Sequence, residues 1–126
     1  MDARHWMEIW MTVALICYFA AYFVAKKDWE RHLVFAIVGF LADMRATYLM
    51  MQVGLGTLSG KTGVHTILAL VAILAFFIQA GLGYKAKWGG GYHQIAYRHM
   101  HVNFAKGFFL PIWVAAYFSG LVLPFF

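Results

Sequence analysis

The chain has 126 residues, of which 63% are hydrophobic and 12% charged, and its mean hydropathy is +0.70. Soluble domains hold about 45–50% apolar and about 25% charged residues, so a soluble globular domain and a disordered chain are both excluded. The net charge of +5 does not signal nucleic acid, because Lys and Arg on so apolar a chain belong first to membrane flanks.

A bilayer core takes about 20 mostly apolar residues per helix. Residues 9–25 are uncharged and end at Lys26-Lys27-Asp28. The only cysteine, Cys17, lies in this run, so an intramolecular disulfide and a multi-cysteine zinc site are excluded. Residues 33–42 are apolar, Asp43 and Arg45 interrupt, and 46–58 continue. Residues 64–84 are the cleanest span, and 107–126 are also uncharged, with Pro111 early and Pro124 at the end. Helices are predicted near 4–26, 30–53, 62–84 and 94–123. No segment alternates polar and apolar residues with period two, so strands are not expected.

Gly54, Gly56, Ser59-Gly60 and Gly89-Gly90-Gly91 punctuate short connections. Short connections make neighbouring helices antiparallel. The expected fold is all-α, a transmembrane up-down four-helix bundle forming one domain over 1–126. We call the side holding the N-terminus side A. Side B carries Lys26, Lys27, Arg31, Lys85, Lys87 and Arg98, whereas side A carries Arg4 and Lys61. The positive-inside rule makes side B cytoplasmic and leaves both termini outside. The first helix reads as a span rather than a cleaved signal, since its apolar run is too long and no A-x-A site follows. Trp6, Trp10, Trp29, Trp88 and Tyr84 read as interfacial anchors, and Trp113 as packing or lipid contact.

The six histidines all lie near helix starts. His5 and His65 fall on side A; His32, His93, His99 and His101 fall on side B. Helices 1 and 3 are diagonal partners in such a bundle, as are 2 and 4. The sequence therefore offers His32 with His101 or His99 at one depth, and His65 with His5 at the other. Paired imidazoles across a bundle suit iron, and a neutral imidazole is cheaper to bury than a charge. The layout predicts one or two haems b, with His32, His101, His65 and His5 as ligands.

Small residues follow three of these histidines on the same face: Ala36 after His32, Ala69 after His65, and Ala105 after His101. They would make room for a macrocycle, although such residues also serve plain helix packing. His99 and His101 point about 200° apart on a helix. His101 shares its face with Ala105, Phe108 and Ile112, so it is the expected ligand. His99 shares its face with Asn103 and Lys106, which suits a propionate or a lipid headgroup. Met7, Met11, Met50 and Met51 also lie toward side A, where a thioether is an alternative to His5.

Asp43 and Arg45 are the ionisable residues deep in a span, where a charge costs at least about 2.5–3.5 kcal/mol. Asp43 is expected to point inward near mid-membrane. Arg45 lies nearer side A, where a haem propionate or a quinone headgroup would pair with it.

The second half of the chain resembles bacterial cytochrome b561-like proteins. The similarity rests on a helix opening with His65 and ending in Gln79-Ala80-Gly81-Leu82-Gly83. It continues through Arg98-His99-Met100-His101-Val102-Asn103 to an aromatic helix ending near Ser119-Gly120. The resemblance implies a b-type cytochrome of a bacterial inner membrane. It implies His32, His65 and His101 as haem ligands, and electron exchange with a quinol or a partner redox subunit. His5 departs from the pattern by lying close to the terminus.

Three readings compete with electron transfer: a cofactor-free assembly subunit packing on its small residues, a pigment-binding antenna-like subunit, and a transporter using Asp43 and Arg45. A homo-oligomer fits any of them. Paired histidines favour the electron carrier. A hydrolase has no support, since Asp2, Glu8, Asp28, Glu30 and Asp43 form no converging pair, and no phosphate-binding glycine loop is present.

Overall fold

The computed structural model describes residues 3–25, 27–52, 62–89 and 94–122. The helices are α1 (Ala3–Val24), α2 (Trp29–Gln52), α3 (Thr62–Trp88), α4 (Gln94–Phe104) and α5 (Leu110–Val122), the last two joined by a π-helical turn, Ala105–Phe109. Four segments are long and apolar enough to cross a membrane, with α4, the π turn and α5 making one continuous span over Gln94–Leu121. The protein is an all-α four-helix bundle and an integral membrane protein. Lys26, Lys61, His93, Pro124 and the turn residues at 54–60 and 90–91 lie outside the described residues.

Local chemistry explains the element ends. Asp28 caps α2 by accepting the backbone N–H of Arg31 at 3.2 Å, while its carbonyl receives the N–H of His32 at 3.0 Å. The exposed Arg31–Asp28 ion pair at 3.3 Å adds little. Helix α3 runs four residues past its expected end at 84. Nothing in Lys85–Trp88 breaks a helix, and Lys85 and Lys87 complement the carbonyl end of the dipole. It stops at Gly89, whose N–H reaches the Lys85 carbonyl at 3.0 Å.

Each helix turns one narrow stripe inward. On α1 the buried residues Met7, Met11, Ala14, Tyr18 and Ala21 recur every three or four positions. On α3 the stripe is Ala72, Ala75, Gln79, Gly83 and Ala86. Small residues let the backbones approach, which drives association where lipid competes equally for apolar surface. A Cβ on Gly39 of α2 would lie 3.0 Å from the Tyr18 ring of α1. The other faces are apolar and exposed, as at Ile16, Phe23, Leu41, Leu70 and Leu74, and contact lipid.

The π turn corrects one expectation. Phe108 is exposed and Ile112 only partly buried, while Phe109, Leu110 and Trp113 are buried with His101. Twelve residues of α-helix would set His101 and Trp113 about 120° apart; one inserted residue cuts this to about 20°. The Leu110 N–H bonds the Ala105 carbonyl, five residues back. Pro111 supplies the cause: it has no N–H and its ring crowds the carbonyl four residues earlier.

Candidate functional site

The middle of the bundle is closed by aromatic rings around one carboxylate. Asp43 Oδ2 accepts hydrogen bonds from Tyr18 Oη at 3.0 Å and from Trp113 Nε1 at 2.9 Å, tying α1, α2 and α5 together. The Tyr18 ring meets Phe109 and Trp113 edge-on, both at 5.2 Å. Phe40 stacks on Phe76 at 4.6 Å. Helix α2 passes unbroken through Asp43 and Arg45. Arg45 is exposed, with its guanidinium 5.6 Å over the Tyr48 ring.

On the lysine-rich side B this layer floors a cavity of about 460 Å3. Small residues open it: Ala21, Ala36, Ala80, Gly83 and Ala105 are in its wall. His32 and His101 both line it, with ring centres 5.9 Å apart and planes at 89°. His32 comes from the first turn of α2, and its Nδ1 donates to the Ala21 carbonyl of α1 at 2.7 Å. His101 is 9% exposed, and its Nδ1 donates to the Gln79 carbonyl of α3 at 3.0 Å. The Gln79 amide nitrogen, 2.9 Å from the same Nδ1, sends its hydrogen to the His101 carbonyl at 2.8 Å. Each histidine is therefore held by a backbone carbonyl of another helix, and a carbonyl can only accept. In the neutral form of each ring Nδ1 then carries the proton and Nε2 the lone pair; Nε2 of His101 also lies 3.4 Å from the Gln79 amide nitrogen.

Gly83 seats the His101 ring. A Cβ there would lie 2.9 Å from Cε1 and 3.2 Å from Nδ1. Trp29 belongs to the cavity rather than to the membrane interface alone, with its ring 4.9 Å from His32 and 6.5 Å from His101. Its Nε1 and Gln79 Oε1 are buried side-chain polar atoms without a hydrogen-bond partner among the described residues. Buried donors are normally paired, so this indole nitrogen, closed to water, is an exception in a residue that lines the cavity. His99 lies outside the bundle and is exposed, with Asn103 and Lys106 exposed on the same face.

Side A is built differently. His65, 2% exposed, is the most enclosed large side chain. Its Nδ1 contacts Ser119 Oγ at 2.8 Å and the Ala116 carbonyl at 3.1 Å, and its Nε2 meets Met50 Sδ at 3.1 Å. Gly120 seats this ring, since a Cβ there would lie 3.0 Å from Cε1. The adjoining pocket holds only about 20 Å3. His5, the other expected side A ligand, is exposed. Met7 and Met11 of α1 point inward, and His5, two residues before Met7, falls about 200° away on the helix. Met51 is exposed as well.

The chain matches no family model, no curated protein and no solved structure.

Among the described residues no three His, Cys, Asp or Glu side chains cluster as a metal site. The side B cavity instead offers two imidazole nitrogens and an apolar wall. A metal held there by protein alone would have two ligands. Its remaining donors would have to arrive with it.

Proposed function

We propose that this protein is a membrane-embedded b-type cytochrome, similar to the cytochrome b561-like proteins, that carries electrons through one haem b. The observation that carries the reading is the pair His32 and His101, which line one cavity with ring centres 5.9 Å apart and Nδ1 of each tied to a backbone carbonyl. At that separation His32 and His101 are near enough to hold one metal ion in common through their ring nitrogens. The cavity falls within the about 300–1,000 Å3 range of cofactor sites. Bound there, the haem supplies a one-electron redox centre.

The chain's own groups do the rest. Carbonyl acceptors at Ala21 and Gln79 fix the tautomer and orientation of each ligand, as outer-shell partners do at metal sites generally. Lys87 Nζ, 5.7 Å over the Trp29 ring in the cavity wall, would offer a compensating charge to a propionate. The aromatic layer around Asp43 excludes water from the cavity floor. The lysine-rich side would face the cytoplasm of a bacterial inner membrane. Electrons would pass to a quinone or a partner redox subunit from that side. The pocket beside His65 has no room for a macrocycle, so the reading takes one haem per chain.

The test is a reduced-minus-oxidised spectrum of protein expressed with ample haem, quantified as the pyridine haemochrome. A sharp α-band and about one haem per chain are expected. A colourless, folded protein overturns the proposal.

Gly83→Ala gives a finer check. The added Cβ would force the His101 ring to move by several tenths of an ångström, so haem retention should fall while helix content stays. Gly81→Ala is the control, because a Cβ there meets nothing within 4 Å. Equal haem loss in both variants would show that the Gly83 seat is irrelevant.

A further inference from the structure

We infer that the buried His65–Met50 pair on side A, with Met7 and Met11, is a binding site for one copper(I) ion.

The argument begins with a proton. Ser119 Oγ gives its single hydrogen to the Ala116 carbonyl at 2.8 Å. His65 Nδ1 faces that same carbonyl at 3.1 Å and the Ser119 oxygen at 2.8 Å. Both are acceptors toward it, so Nδ1 carries the ring hydrogen. In a neutral imidazole Nε2 then holds a lone pair. That lone pair meets Met50 Sδ at 3.1 Å, and a thioether has no hydrogen to offer. Two electron-pair donors thus face each other in a place almost closed to water. A cation bound by both, to one side of the line that joins them, resolves the conflict.

The surroundings select the ion. Met7 and Met11 lie one turn apart on α1, are buried, and line the same pocket as His65 and Met50. Thioethers are soft ligands that favour copper(I), and imidazole also binds copper. The three methionines carry no charge, so a monovalent ion costs less to bury here than a divalent one. Glu8 is the one carboxylate in the pocket wall. The space of about 20 Å3 suits a single small ion, since about 10–15 Å3 already admits one water. The outer shell is in place: Ser119 and the Ala116 carbonyl fix Nδ1, and Gly120 lets the ring sit against α5. The ion binds and leaves as copper(I), with no electron transferred.

The full chain, purified in detergent, is titrated anaerobically with copper(I) against the chelator bicinchoninate, with haem counted in the same sample. One equivalent of copper should be withheld from the chelator. X-ray absorption should show nitrogen and sulfur in its first shell. Met50→Leu should weaken copper(I) binding by more than the about 10–100-fold that loss of an outer-shell partner costs. Met11→Leu tests the α1 side, and Ser119→Ala should lose about tenfold. Haem content should be unchanged in all three. The proposal is overturned if no copper is withheld, or if both methionine variants hold it as the parent does. It is equally overturned if the chain carries a second haem whose absorption shifts in Met50→Leu, because the site then takes a porphyrin. Haem on side B depends on His32 and His101, so either reading can fail while the other stands.

Discussion

His101→Ala should abolish haem retention, taking the count from about one per chain to near zero, whereas His99→Ala should leave it intact. The two residues are two positions apart on α4 and differ in direction. His101 is buried, seated on Gly83 and bonded through Nδ1 to Gln79. His99 is exposed on the outer face. On the proposed reading, loss of His101 removes one ligand, its link to α3 and its share of the cavity wall together, while the other proposed ligand, His32, is only partly buried. Pyridine haemochrome quantitation on each purified variant reads the outcome, with circular dichroism confirming that the helices persist. Equal loss in both variants would mean that the ring facing the iron is not set by burial, and the bis-imidazole reading would fail. His32→Ala should behave like His101→Ala, because the pair acts as a unit.

The spans were legible because composition alone separates membrane helices from everything else, and the uncharged runs are long. The opposite directions of His99 and His101 were legible too, since 100° per residue holds through α4. Beyond Phe104 that rule fails. Pro111 forces a π turn, and the expected face of Phe108 and Ile112 gives way to Phe109 and Trp113. A proline in the sequence warns of a break but does not state which register follows.

The seats of the histidines were hidden for a different reason. Spacing within a helix points to Ala69 and Ala105 as the small neighbours of His65 and His101. The rings rest on Gly120 and Gly83, which belong to the facing helices. A contact between helices depends on their relative depth, and no periodicity within one helix encodes it. The same limit applies to His5. Depth places it beside His65 in the reading of the sequence, but only the rotation of α1, which buries Met7 and Met11, decides that its side chain is exposed. Trp29 shows the limit again, since its place at a span end suits an interfacial anchor, yet its indole lies against both cavity histidines.

Asp43→Leu should lower the thermal unfolding midpoint in detergent strongly, and Asp43→Asn should barely move it. The carboxylate is 7% exposed and receives Tyr18 Oη and Trp113 Nε1 on the same oxygen, Oδ2. Leucine leaves both donors buried and unpaired, at about 1–3 kcal/mol each, and lipid offers neither of them a replacement. Asparagine keeps one carbonyl oxygen, which is enough, because both bonds converge on one atom. The contrast separates two roles that a buried acid in a membrane can have. As an acceptor joining α1, α2 and α5, Asp43 is replaceable by any side chain that presents an oxygen at that point. As a charge or a proton carrier, it is not. If Asp43→Asn unfolds as readily as Asp43→Leu, the hydrogen-bond account is wrong. If it stays folded and holds haem, but the midpoint potential of the haem loses a pH dependence present in the parent, the carboxylate exchanges a proton during turnover. The hydrogen-bond geometry favours the first role: two donors on one oxygen make a tie between helices, and a tie needs no charge.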